Sequence, residues 1–228
     1  VFKRALLNNF VWMLLSLALM VIPVLILAIM ISNVKKGKLF FRAGFFLPNV
    51  LSLAVAAVLW GKIYDPSIGP INYLLKRAGL DHLARNWLGD PLTVLPALVI
   101  VNCWVFYGLF LVLYMAGLQN VDKSLYEAAE LDGAGAVGKF WYVTIPSLRN
   151  TLNVVISMII IYGLKSFPLV WIMTQGGPFY RSELVATYIY RVAFTMNDIS
   201  YATAASVILA VIIIFITFLF NMIREWGE

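Results

Sequence analysis

The run Val207-Ile208-Leu209-Ala210-Val211-Ile212-Ile213-Ile214 decides the fold. A membrane barrel strand alternates apolar and polar residues, and this run does not. It lies inside a longer apolar stretch, residues 201–223. A helix needs roughly 20 such residues to cross a bilayer. Hydrocarbon offers the backbone no hydrogen-bond partner, so a stretch of this kind is expected to pair its N–H and C=O groups within a helix. Four further runs read the same way, at residues 10–31, 43–60, 92–118 and 152–173. The expected fold is therefore all-α, a polytopic helical membrane protein with five spans. No internal repeat, low-complexity segment or linker divides residues 1–228, so one domain is expected.

Composition agrees. The 228 residues are 62% hydrophobic and only 12% charged, with a mean hydropathy of +0.90. Soluble domains carry about 25% charged residues. The formal net charge is +6. The basic residues lie in loops beside apolar spans, which suits anionic lipid head groups rather than nucleic acid. Cys103, the only cysteine, sits in an apolar run and reads as a small hydrophobe. The chain starts at Val1, and the first apolar run is too long for a cleavable signal.

The loop between the first two spans is short and holds Lys35, Lys36, Lys38 and Arg42. That cluster argues for a cytoplasmic loop, which places residues 118–150 and the C-terminus inside as well. The opposite loop, 61–91, also carries Lys62, Lys76, Arg77 and Arg85, so a Lys/Arg count alone does not fix the orientation. Asp65-Pro66, Gly69-Pro70 and Asp90-Pro91 mark turns in that loop, with a short amphipathic helix expected over residues 71–80. Gln175-Gly176-Gly177-Pro178 is a strong break. Residues 184–194 then read as an interfacial helix with Tyr188, Tyr190 and Phe194 as anchors.

Between the third and fourth spans lies Glu127-Ala128-Ala129-Glu130-Leu131-Asp132-Gly133-Ala134, followed by Val143-Thr144-Ile145-Pro146. Residues 123–132 would make about 15 Å of helix. Ser124 with Glu127 fits a capping box, and Asp122 is a competing N-cap. Leu125, Ala128, Ala129 and Asp132 share one helical face. Gly133 is placed to end the helix in a left-handed conformation, and Pro146 marks the return to the membrane. So short a helix is marginal alone and needs a partner surface.

This segment resembles the EAA loop of the permease subunits of binding-protein-dependent ABC importers. Glu127, Ala128, Ala129, Asp132, Gly133, Ala134, Phe140, Thr144 and Pro146 match that pattern, while Asn150 stands where a second proline is frequent. The resemblance runs along nearly the whole chain. It includes Phe46-Leu47-Pro48, Tyr64-Asp65-Pro66, Trp87-Leu88-Gly89-Asp90-Pro91 and Ala116-Gly117-Leu118-Gln119. Thr174-Gln175-Gly176-Gly177-Pro178 and Tyr188-Ile189-Tyr190-Arg191 look most like the carbohydrate-uptake branch. Pro168 departs from it, standing where many relatives carry an acidic residue.

The resemblance implies a type I importer fold and a non-catalytic permease subunit of an ATP-driven carbohydrate importer. It implies a multi-pass location in a bacterial or archaeal cytoplasmic membrane, and one further span before Val1. Implied partners are two ATP-binding subunits, a second homologous permease subunit and an extracytoplasmic sugar-binding protein. Glu127, Ala128, Ala129, Asp132 and Gly133 would couple to the ATPase. No cofactor is implied.

Other motifs weigh less. Gly133-Ala134-Gly135-Ala136-Val137-Gly138-Lys139 mimics a phosphate loop, but Phe140 replaces the Ser/Thr and no strand precedes it. His82 has no second histidine, so no metal site is expected. Lys165 and Pro168 fall inside the fourth apolar run, where a proline kink is expected; the bend either lines a substrate path or simply bends the helix. Lys165 is read as reaching out to the interface. Asn102, Tyr107, Tyr114, Ser157 and Tyr162 either bond sugar hydroxyls or bond neighbouring helices. Ala202, Ser206 and Ala210 read as a packing stripe. The alternative function, a secondary transporter or channel, fits less well because no Asp or Glu lies in an expected span.

Overall fold

A computed structural model describes residues 1–225. Every regular element among them is helical. Helix α1 spans Phe2–Asn33. A bent pair follows, α2 (Lys38–Val50) and α3 (Leu53–Ile63). Helix α4 (Pro70–Arg77) lies in the next loop, and α5 (Val94–Gln119) is the central span. The short α6 (Lys123–Leu131) leads to α7 (Ala136–Lys139), a wide π-helical turn at Phe140–Thr144, and α8 (Ile145–Ser147). Then come α9 (Arg149–Leu164), α10 (Pro168–Thr174), α11 (Val185–Tyr190) and α12 (Ile199–Glu225).

Helices α1 and α9 pack on α5, and α2 covers another side of it. The core is a continuous apolar cluster containing Trp12, Met20, Leu25, Leu98, Phe110, Leu111 and Leu169. Gly108 lets α2 approach α5 closely. A Cβ there would overlap the Phe45 carbonyl oxygen and the Phe46 Cα. Among the described side chains of α12, Ala202, Ala205 and Leu209 are buried, while Val207, Val211, Ile214 and Phe218 point outward, as on a lipid-facing helix.

The five apolar runs are all helical, but two are not single rods. The run at 43–60 bends by 98° between α2 and α3. Ser52 starts the new helix, its hydroxyl accepting the Val55 N–H at 3.3 Å. The run at 152–173 stops at Leu164 and restarts at Pro168. The expected kink is therefore a full break. A proline disfavours the α conformation in the residue before it, and is well placed at the first helical position. Lys165 lies in that break, exposed, rather than within a span. The second halves, α3 and α10, pack against each other.

The packing stripe on α12 also differs from expectation. It runs through Ala202, Ala205 and Leu209, and Ser206 and Ala210 face outward. Leu209 packs there with Val185 of α11 and Ala5 of α1.

Candidate coupling site

Helix α6 leaves the end of α5 through a tight turn and buries none of its residues. Asp122, not Ser124, is its N-cap: the carboxylate accepts the Ser124 N–H at 2.9 Å. Hydrogen bonds from the Ser124 backbone and side chain hold the Asp122 carboxyl below the usual carboxylate range. The C-terminus closes as expected. Gly133 has φ +79°, its N–H reaches the Glu130 carbonyl at 3.0 Å, and the Ala134 N–H reaches Ala129 at 2.8 Å. Those two bonds satisfy carbonyls that the last helical turn leaves open.

One edge of α6 is tied to the returning chain. The Tyr126 and Thr144 hydroxyls lie 3.0 Å apart. Glu130 pairs with Lys139 at 2.8 Å, and that hydrogen bond and charge hold its carboxyl below the ordinary range. The other edge is bare. Glu127, Ala128 and Asp132 are exposed, Ala129 is half-buried, and Leu131 is 90% exposed. Glu127 plays no part in the cap.

The return from α7 through α8 runs as one rod. At Leu148 it turns by 75° into α9. Pro146 has no N–H for a carbonyl four residues back, and the wide turn just before it accommodates that loss. Trp141 and Tyr142 project outward from this rod, and Tyr142 is 85% exposed. The basic turn at 34–37 lies at the same end of the bundle: Asn33, Lys38, Gln119, Lys123 and Lys139 border one cavity of about 940 Å³.

The five candidate path residues have different surroundings. Tyr107 borders an apolar cavity of about 540 Å³ with Cys103 and Trp104, and its hydroxyl donates to the Leu19 carbonyl at 3.2 Å. Tyr114 is fully enclosed, and Asn102 is buried in α5. On α9, Ser157 is half-buried, and Tyr162 is partly exposed with its ring 5.5 Å from Phe106.

Sequence reasoning missed a polar knot at the opposite end. Glu183 has no solvent exposure and accepts a hydrogen bond from Arg191 at 2.8 Å. Arg191 also donates to the Gln175 carbonyl and lies over the Trp171 ring at 5.5 Å. From α1, Asn8 donates to the Tyr180 and Glu183 carbonyls at 3.0 and 2.8 Å. Asn9 bridges the Gly163 carbonyl (3.1 Å) and the Val185 N–H (2.7 Å). The signal was the adjacent pair Asn8-Asn9 just ahead of a long apolar run, and a Glu eight residues before an Arg. The same end holds Asn72, buried, which accepts from Trp87 at 2.9 Å and donates to the Arg85 carbonyl at 2.8 Å.

Residues 7–226 match the family described as binding-protein-dependent transport system inner membrane component. A probable ABC transporter permease of Bacillus subtilis is 38% identical over 214 residues, covering 93% of this chain and 73% of the relative. The lactose transport system permease of Rhizobium radiobacter is 32% identical over 230 residues, covering 99% and 77%. Among solved structures, a chain of a bacterial ABC transporter that imports the acidic polysaccharide alginate superposes with a TM-score of 0.87 at 27% identity, covering 98% of this chain and 78% of that one. A second match, TM-score 0.85 and 26% identity, is the alginate transporter in complex with its pentasaccharide-bound periplasmic protein; it covers 96% and 77%.

Proposed function

The chain belongs to the family of inner membrane components of binding-protein-dependent transport systems, and from that premise we infer that it forms half of the path of a sugar importer and takes its driving force from separate ATPase subunits. The sugar class follows from relatives such as the lactose permease and the alginate transporter. The chain sits in a bacterial or archaeal cytoplasmic membrane with α6 on the cytosolic side. Its partners are two ATP-binding subunits, a second homologous permease subunit and an extracytoplasmic sugar-binding protein.

One observation carries this reading: α6 is capped at both ends, fixed along one edge, and bare along the other. Burying Leu131 alone would contribute about 1.5–3 kcal/mol, enough to decide the fate of a nine-residue helix. A docked α6 acts as a lever. Glu127, Ala128, Asp132 and Leu131 contact the ATPase, Gly133 stops the helix, and the rod through α8 carries displacement into α9 at Leu148. Nucleotide then biases a two-state bundle, provided the docked contacts differ between the states. The substrate path runs past the breaks at Ser52 and at residues 165–167. Non-helical backbone at membrane depth is tolerated where it is enclosed by protein or lines a watery cavity. Tyr107, Ser157 and Tyr162 remain candidates for its wall; Asn102 and Tyr114 are better read as packing groups.

Co-purification with the ATPase, followed by a screen of sugars with their binding protein for stimulated ATP hydrolysis, tests the reading. Uptake that survives without ATP and collapses with an ion gradient would point instead to a secondary transporter, which the named relatives do not favour.

A further inference from the structure

The cavity beside α6 holds more than the lever needs. Lys38 and Arg42 on α2, Lys123 on α6 and Lys139 on α7 border its about 940 Å³, and among the described residues no carboxylate lines it. Lys139 is engaged by Glu130. Lys38, Arg42 and Lys123 have no ion-pair partner among the described residues. Arg42 is half-buried there. A partly desolvated guanidinium without a counterion is unfavourable, so the cavity is electrostatically unfinished and calls for an anion.

The remaining wall says which anion. Ile26, Met30, Leu39, Met115 and Leu118 line it. A free phosphate would gain the cations and nothing from that apolar surface. A phospholipid gains both, its phosphate taking the planar fork of Arg42 and the ammonium groups of Lys38 and Lys123. The cavity lies where the apolar runs of α1 and α5 give way to charged turns, the depth at which head groups sit. We propose that this cavity binds one anionic phospholipid and that the bound lipid staples α2 to α6. Only the consequence for coupling rests on the lever described above; binding itself does not.

The test uses the permease complex purified from membranes, exchanged into phosphatidylcholine nanodiscs containing phosphatidylglycerol. Native mass spectrometry then reads retained phosphatidylglycerol against phosphatidylcholine. Lys38→Gln with Arg42→Gln removes two of the charged donors to the bound phosphate and should lower the preference by about tenfold or more. Arg42→Lys should keep most of it, and Lys35→Gln with Lys36→Gln, outside the cavity, should leave it intact. If the double variant at 38 and 42 fails to fold, the exposed single changes Lys38→Gln and Lys123→Gln carry the test, each expected to lower the preference severalfold. An unchanged preference in the variants overturns the proposal. So does an equal loss on changing Lys35 and Lys36, which means diffuse attraction. Displacement by glycerol phosphate as readily as by lipid overturns it too, since the site then takes a soluble anion. No ATP or sugar enters the measurement, so failure here leaves the transport reading standing.

Discussion

The Tyr126 hydroxyl lies 3.0 Å from that of Thr144 and joins α6 to the rod that re-enters the bundle. Thr144 is buried, and its hydroxyl also donates, over a longer 3.3 Å, to the Lys139 carbonyl. Tyr126→Phe keeps the ring and removes the link, at about 0.5–1.5 kcal/mol. A slack joint lets nucleotide-driven motion dissipate. The expected result is fewer sugars taken up per ATP hydrolysed, with basal hydrolysis retained. Measuring both rates in the same proteoliposomes checks it; a fall in the two together speaks for lost assembly instead.

Gly133 separates conformation from contact. Its φ of +79° strains an ordinary side chain, yet a Cβ there would meet nothing within 4 Å. The left-handed conformation costs about 1–2 kcal/mol for most residues, and asparagine tolerates it best. Gly133→Asn should therefore keep substantial uptake and Gly133→Val should lose most of it. Equal loss from both would mean that the ATPase packs directly on this position. Gly133→Asp, which adds a charge at the helix end where carbonyls already face out, should be impaired beyond Gly133→Asn; unimpaired sugar-stimulated hydrolysis and uptake in it would count heavily against α6 as the docking helix.

The Glu183–Arg191 pair predicts a stability asymmetry. Glu183 is wholly enclosed, and Arg191 is mostly so. Glu183→Ala leaves a guanidinium without its carboxylate and should cost about 3–5 kcal/mol. Removing both charges, as Glu183→Ala with Arg191→Met, should restore part of that loss. Thermal melting of the purified complex reads both. Additive losses would show that the two residues act separately.

The helices were legible because twenty-odd apolar residues leave the backbone one solution. The breaks were not. Ser52 sits inside the run 43–60, where a hydropathy average treats a single hydroxyl as noise, though that hydroxyl caps a new helix. Pro168 was visible, but a proline that kinks a helix and one that starts a helix look alike until the neighbours of Phe167 are known. The caps of α6 were legible at Gly133, where the left-handed conformation favours glycine. They were ambiguous between Asp122 and Ser124, since both residue types cap well. Glu183 and Arg191 escaped notice because each alone reads as a loop charge. Their pairing needs the three-dimensional meeting of α1, α10 and α11.

Two glycines on facing helices offer an internal control for the close packing of α2 on α5. At Gly108 an added methyl would overlap backbone atoms of Phe45 and Phe46, which cannot rotate aside; at Gly44, on α2, it would meet nothing within 4 Å. Gly108→Ala should therefore destabilise the bundle by about 1–3 kcal/mol through overpacking. Gly44→Ala should be neutral or slightly stabilising, since alanine is the better helix former by about 1 kcal/mol. The Gly108 change pushes α2 away from α5, which disturbs the bend at Ser52 and the wall of the cavity that Tyr107 borders. Melting temperatures should separate the two variants, and uptake should fall for Gly108→Ala alone. A Gly108→Ala protein as stable and as active as Gly44→Ala would mean that α2 stands further from α5 than the structure has it.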